Sequence, residues 1–279
     1  MSLSESETYC LDEVRRYDHD RYLTALFLPP EQRADVLALY AFNVEVARTR
    51  EIVSEPILGQ IRLQWWREAI EGIYAGTPRE HPVVAALSSS CQSHKLDCAE
   101  LEALIDAREA DLEDAPLADM AALEGYASGT SGQLTRLVMS VLGGNSRALD
   151  AAGEVGAAWA LVGLARSVAF HAQHQRIYIP AELLSEYEVE RRHLLDLKPS
   201  AGLNSSIQRM IGVAQDKLAN ARADRNQITR PQRKGLLLGT LADRYILAIR
   251  KANFDPFAMP AIQPTQTLRL AWSAWRGTY

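Results

Sequence analysis

Apolar residues recur at three- and four-residue spacing through most of the chain, which is the pattern of helices that bury one stripe. Pro29-Pro30 opens the first long segment, Pro30 to about Val53, with Pro30 suited to a first helical turn. Val36, Leu39, Tyr40, Asn43, Val46 and Ala47 share a face along it. After Ser54-Glu55-Pro56 the pattern predicts a helix from Ile57 to Ala75, striped by Leu58, Ile61, Trp65, Ala69 and Ile73. Gly76 is its expected cap, with Pro78 beyond. On this reading Trp65 lies on the stripe and Trp66 packs at its margin or at an interface.

Further helices are predicted over about His81–His94, Cys98–Asp114 and Leu117–Leu142. Gly143-Gly144-Asn145 breaks the chain, and Ser146 is placed to cap a helix running to about Ala172. Its glycines and alanines between Gly156 and Ala165 let neighbours approach closely, as a central helix requires. Arg176-Ile-Tyr-Ile-Pro180 reads as a short extended connection. Helices resume at about Ser205–Asn226 and Arg233–Ala252, and a last amphipathic piece, Thr265 to Arg276, carries Leu268, Trp272 and Trp275 on one side. No strand-like alternation and no Gly/Ser- or Pro-rich linker interrupts the series. The expectation is one all-α domain spanning residues 1–279.

Composition narrows the function. With 47% hydrophobic residues the chain is not disordered, and a net charge of −5 disfavours a dedicated nucleic-acid binder. Cys10, Cys91 and Cys98 are an odd set without CxxC spacing, fitting a reducing compartment rather than a disulfide scaffold or structural zinc site. No run approaches the roughly 18 uninterrupted apolar residues of a spanning helix; Val155 to Ala165 comes nearest. The first residues have acids and no apolar core, unlike a secretory or transit leader. A cytoplasmic location is expected.

Generic chemical motifs are absent: there is no GxGxxG, P-loop, GxSxG or HExxH. His171 and His174 could share a helix face, but without a carboxylate or thiolate they make a poor metal site, and no metal is expected. The charged stretch from Arg108 to Asp114 reads as a solvated helix face. The Trp272/Trp275 stripe reads as a helix docked on the core; Arg269 and Arg276 are few cations for a membrane anchor.

Several separated segments resemble the squalene/phytoene synthase family. They are Phe27-Leu-Pro-Pro with Arg33 and Leu39-Tyr-Ala-Phe42; Trp65-Trp66-Arg67 with His81-Pro-Val-Val-Ala-Ala-Leu87; Tyr126-Ala-Ser-Gly-Thr-Ser-Gly132; Gly163-Leu-Ala-Arg166 with Arg176-Ile-Tyr-Ile-Pro180; and Phe254-Asp-Pro-Phe257. The resemblance implies an isoprenoid-synthase-like helical bundle with a central cavity. It also implies head-to-head joining of two prenyl diphosphates, driven by Mg²⁺ held on two aspartate-rich motifs at i and i+4. Here the first motif falls on Ala47-Arg-Thr-Arg-Glu51, so only Glu51 remains, flanked by Arg48 and Arg50. The second falls on Ser167-Val-Ala-Phe-His171, and no carboxylate occurs between Glu154 and Glu182. Ala160 and Gly163 stand where the family usually has a glutamine and an asparagine.

Loss of one transition-state charge stabiliser costs roughly 10²–10³-fold. Without nearly all of them, no confident catalytic residue is assigned and no cofactor is expected, with Mg²⁺ required only if an enzyme persists. Asn43-Val-Glu-Val-Ala-Arg48, Ile61-Arg-Leu-Gln-Trp-Trp-Arg67 and Arg166-Ser…His171-Ala…Arg176 resemble the non-catalytic branch of respiratory complex I assembly factors and their bacterial relatives. That branch implies an assembly or scaffolding role with a membrane protein complex, peripheral at the inner membrane. Two alternatives stay open: a phytoene- or squalene-type transferase, and a binder of a prenyl diphosphate or anionic lipid. The expected ligand-facing residues are Tyr40, Asn43, Arg48, Arg50, Glu51, Tyr126, Arg166, His171, Arg176 and Tyr178. Their arginines either grip an anionic head directly or pair with Glu45, Glu51 and surface carboxylates in a filled pocket.

Overall fold

The computed structural model describes residues 3–53, 55–258 and 266–279, and among them every regular element is helical. Ser54 and Thr265, the latter the expected start of the last helix, lie outside the described residues. The amino-terminal stretch, read above only for a leader, forms α1 (Glu5–Tyr17) and α2 (His19–Ala25). Ser4 and Glu7 close a capping box on α1, and the Asp18 carboxylate accepts from the Arg21 N–H to start α2.

Several helices predicted as continuous are interrupted. The one over Cys98–Asp114 turns 3₁₀ from Arg108, and the one over Leu117–Leu142 holds a π segment at Ser128–Gly132. The one over Arg233–Ala252 breaks at residues 235–237, and the two from Pro30 and from Ser146 each break once. The helix from Pro30 becomes α3 (Pro30–Ala47) and α4 (Thr49–Ile52), with Arg48 at ψ 2° between them. Then come α5 (Pro56–Tyr74), α6 (Pro82–His94), α7 (Cys98–Ala107), α8 (Met120–Ala127) and α9 (Gln133–Val141). The predicted central helix becomes α10 (Ser146–Arg166) and α11 (Val168–Gln173), parted by Ser167 at ψ 13°. Asn145 rather than Ser146 caps α10, its side chain accepting from the Ala148 N–H. The remainder is α12 (Ala181–Glu186), α13 (Arg191–Leu195), α14 (Ala201–Ala223), α15 (Arg230–Lys234), α16 (Leu238–Lys251) and α17 (Gln266–Arg276).

The stripe on α5 is displaced from the predicted one. Gly59, Leu63, Trp66, Ala69, Ile70 and Ile73 are buried, whereas Leu58 and Ile61 are exposed. Trp66 enters the core against Phe42, ring centroids 5.5 Å apart, and Trp65 is the partly buried one. Both readings satisfy a helical period; the pocket between α3 and α6 decides between them. The last helix also departs from expectation, with Leu270, Ser273 and Ala274 inward and Leu268, Trp272 and Trp275 outward.

At the centre, α10 packs against α9, α14 and α16, as its small residues suggest. By length and composition α10 is apolar enough to cross a membrane, contrary to the count of uninterrupted apolar residues, but it is largely buried as the core helix. Its small residues face Ser128–Gly132, a π-type turn joining α8 to α9. Such segments keep right-handed helical dihedrals while widening the helix by one residue per turn, and they often sit at functional sites. A Cβ at Gly156 would overlap the Ser131 carbonyl and the Thr135 hydroxyl, so glycine is required there; a Cβ at Gly163 meets nothing within 4 Å.

Gly156→Ala should therefore lower Tm by about 5 °C through overpacking, while Gly163→Ala on the same helix should raise it by about 2 °C through helix propensity. Calorimetry on the two variants reads both signs.

Candidate functional site

The breaks after α3 and α10 and the π-type turn border one cleft. Its main part, about 400 Å³, is walled by Asp18, Asp20, Arg108, Tyr126, Arg166 and His171. A second part, about 250 Å³, continues past Asn43, Ala47, Arg48, Glu51, Asp111 and Tyr178. A third, about 240 Å³, reaches Arg50, Phe170 and Arg176. The degenerate motif positions Ala47, Glu51, Ser167 and His171 thus all border this cleft. Tyr40 does not: it lies 2% exposed behind the wall with the Arg21 guanidinium over its ring, and burial pushes its hydroxyl up to about 12.

Asp111 organises the floor. The Arg108–Leu112 segment tightens into a 3₁₀ turn, which carries Asp111 inside at 5% exposure. Oδ1 accepts from the Tyr126 hydroxyl at 2.7 Å and the Tyr178 hydroxyl at 2.8 Å, and Oδ2 accepts from Arg108 at 3.2 Å. Arg108 also donates to the Tyr126 oxygen at 3.0 Å and to Asn43 Oδ1 at 3.3 Å, and Arg176 donates to the Tyr178 oxygen at 2.9 Å. The charged stretch is therefore not simply a solvated face. Burial raises the Tyr126 and Tyr178 hydroxyls, with the Asp111 charge adding to it. Burial opposes the Arg108 cation, but Tyr126 and Asp111 hold it above its ordinary range.

The other cleft-lining carboxylates are engaged as well. Asp18 accepts from Arg21 at 2.7 Å, and Arg21 also reaches Ser131 Oγ in the π-type turn at 2.7 Å. Asp20 accepts from Tyr245 at 2.7 Å and lies 3.4 Å from Arg166, whose guanidinium stacks 3.9 Å above the Tyr245 ring. Glu51 pairs with Arg48 at 3.5 Å, and Arg48 lies 3.6 Å over the Tyr17 ring. Arg50 reaches Asp114 at 3.6 Å. The expected alternative is thus split: Arg48, Arg50 and Arg166 pair with carboxylates, but Glu45 pairs with Arg62 instead, Arg176 meets only the Tyr178 hydroxyl, and the pocket is open rather than filled.

His171 packs on the Tyr178 ring, centroids 4.6 Å apart. Burial and then the nearby Arg176 charge lower its imidazole to about 4. His171 Nδ1 and Arg176 Nη2 are buried with no hydrogen-bond partner among the described residues. His174 bonds the Phe170 carbonyl through Nδ1 at 2.8 Å and lines the third part of the cleft with His171. No cluster of three or more metal-ligating side chains occurs among the described residues.

This donor set does not fit Mg²⁺. A hard cation needs several free oxygens at short range. Here Asp18, Asp20, Glu51 and Asp111 are each held by a guanidinium, and the surrounding arginines repel a second cation. Asp18, Asp20 and Asp111 were missed as candidates. The i, i+3 spacings of Asp18 with Arg21 and of Arg108 with Asp111 hinted at pairs, and a surface helix shows the same spacing.

The fold is that of a solved protein class. The family model of squalene/phytoene synthase matches residues 14–276, and the chain belongs to this family. A dehydrosqualene synthase crystallised with a ligand superposes with TM-score 0.84 at 17% identity, over 98% of this chain and 96% of that one. Among named proteins, the chain is similar to human NADH dehydrogenase (ubiquinone) complex I, assembly factor 6, at 30% identity over 98% of this chain and 83% of that protein. It is also similar to the 15-cis-phytoene synthase of Synechococcus elongatus, at 26% identity over 95% of this chain and 90% of that one.

Asp111→Asn should destabilise the protein by about 3 kcal/mol, because the buried Arg108 cation loses its counter-charge and meets an amide N–H in place of one carboxylate oxygen. Asp114→Asn, at a largely exposed carboxylate, should change it by no more than about 0.5 kcal/mol. Urea titration separates the two.

His171 gives a pH signature. The folded imidazole protonates near 4 and the unfolded one near 6.5, so between these values the unfolded chain binds more protons. Stability is full above about 6.5 and falls as pH drops toward about 4, by up to about 3 kcal/mol. His171→Asn should flatten that slope, read as a smaller Tm difference between about pH 7 and about pH 5.

Proposed function

We propose that this protein is a non-catalytic member of the squalene/phytoene synthase family that serves the assembly of a membrane NADH dehydrogenase, the role printed in the name of its human relative. The observation that carries the reading is the saturation of the cleft: Asp18, Asp20, Glu51 and Asp111 are spent on arginines and tyrosines inside the protein. Ionising an allylic diphosphate depends on cations that neutralise the leaving group. A cleft that offers guanidinium pairs in place of free carboxylate pairs lacks that device, while the fold around it is intact.

A second reading has its own support. The cleft is open, and the unpartnered His171 Nδ1 and Arg176 Nη2 lie beside it. Arginine grips phosphate directly, without a metal. A prenyl diphosphate or another anionic lipid held without turnover fits this geometry, and it is compatible with a scaffolding role.

The test has two arms. Deleting the chain from its own host should deplete fully assembled NADH dehydrogenase on native gels, and normal assembly would overturn the first reading. Purified protein given farnesyl or geranylgeranyl diphosphate with Mg²⁺ should release no pyrophosphate above a heat-killed control; hydrocarbon product would restore the transferase alternative. The same diphosphates in EDTA should raise Tm if the second reading holds, and no shift with any of them would end it.

A further inference from the structure

The last helix turns its aromatic stripe away from the protein. Leu268 is 77% exposed, Trp275 65% and Trp272 55%, whereas Leu270, Ser273 and Ala274 are buried beneath them. At about 100° per residue, the three exposed side chains fall within about 60° of arc opposite the buried side. Leu268 and Trp275 are the two most exposed large hydrophobic side chains among the described residues. The two indoles touch, centroids 5.1 Å apart, and Arg276 lies 5.7 Å from the Trp272 ring. Scattered apolar residues on a surface need no explanation, but a contiguous patch built on two tryptophans does.

The setting of this patch is basic. α17 is tied to residues 221–234 by guanidinium-to-carbonyl bonds. Arg230 donates to the Trp275 carbonyl, Arg233 to that of Gly277 at 3.4 Å and Arg222 to that of Tyr279 at 2.8 Å. That segment carries Arg222, Arg225, Arg230, Arg233 and Lys234 against Asp224, and α17 adds Arg269 and Arg276. Asp224 is itself engaged by Arg147 at 3.0 Å, and Arg222 is paired with Asp243 at 2.7 Å and so adds no net charge. That leaves Arg225, Arg230, Arg233 and Lys234 with the two arginines of α17. In a chain of net charge −5, positive charge is therefore gathered around the exposed tryptophans. Tryptophan favours the headgroup level of a bilayer, and arginine and lysine beside it attract anionic lipid.

A second exposed apolar strip supplies the contrast. Ile61 on α5, near the exposed Ile57 and Leu58, borders a hollow lined by three carboxylates, Glu68, Glu109 and Glu113, and one cation, Arg67. Its rim is acidic and repels an anionic surface.

We infer that α17 docks the protein onto an anionic lipid bilayer. Leu268, Trp272 and Trp275 enter the headgroup region, and the basic residues of α17 and 221–234 face the lipid phosphates. The inference rests on α17 and its surroundings and does not depend on the assembly role or on the cleft.

Full-length protein should co-sediment with phosphatidylcholine vesicles containing roughly one third phosphatidylglycerol at least tenfold more than with phosphatidylcholine alone. Raising the salt from about 0.1 to about 1 M should abolish the difference. The triple variant L268S/W272S/W275S leaves the buried side of α17 untouched and should lose binding at least tenfold with an unchanged circular dichroism melt. R269E/R276E, which keeps the stripe, should lose the preference for anionic vesicles. I57S/L58S/I61S should bind like the parent. Equal sedimentation with both vesicle types, binding that survives the triple variant, or a dimer in ultracentrifugation that the triple variant dissolves would each overturn the inference, the last by showing that a second copy covers the stripe.

Discussion

One carboxylate, Asp111, ties together the segments that meet at the cleft. Its oxygens hold the 3₁₀ turn to itself through Arg108, to α8 through Tyr126 and to the extended connection at 176–180 through Tyr178. At 5% exposure such a charge is tolerable only when its lone pairs are filled, and here three donors fill them. The same bonds fix which way Arg108 and Arg176 point, and therefore the electrostatic character of the whole cleft. A carboxylate free to bind a cation cannot also be the acceptor that this packing requires.

Charge pairing extends outward from that centre in a consistent way. Asp18 with Arg21 and Asp20 with Arg166 anchor the two amino-terminal helices to the π-type turn and to the end of α10. Each pair is partly sheltered from water, which makes breaking one partner costly while leaving the net worth of the intact pair small. These contacts are better understood as fixing geometry than as supplying stability. The family fold is retained, with a cleft whose main part is about 400 Å³, because the helices lean on α10, whose small residues set their spacing.

The fold was legible because helical periodicity and the breaks at Gly76 and Gly143 are local signals. The seam of small residues from Gly156 to Ala165 also marked α10 as central, and the turn at Ser128–Gly132 coincided with the small-residue motif carried by the resemblance. What failed was any judgement that required knowing the neighbour. Trp65 and Trp66 both fit a helical stripe, and only the space beside Phe42 selects Trp66. Asp111 sits in a run of charges that is indistinguishable from a solvated face until the 3₁₀ turn rotates it inward. For the cleft, Arg48, Glu51, Tyr126, Arg166, His171, Arg176 and Tyr178 were found through the resemblance, and so was the Arg48–Glu51 pair. Asp20, which pairs with Arg166, and Asp111, which holds Arg108 and Tyr178, came instead from α2 and the 3₁₀ turn, segments with no motif.

The two tryptophan pairs show the same limit from opposite directions. On α5 a pair of adjacent indoles is divided between core and margin; on α17 a pair three residues apart is left in solvent. Period alone assigns side chains to a common face, but the direction of that face depends on which side offers the better seat. α17 seats Leu270 and Ala274 inward, small enough to lie close beneath while the basic segment 221–234 bonds its carbonyls. The bulky stripe is then forced outward, because one short helix cannot bury both sides against a single neighbouring layer. Exposure of the indoles thus follows from how the helix end is held, and the arginines that hold it are the same residues that make its surroundings basic.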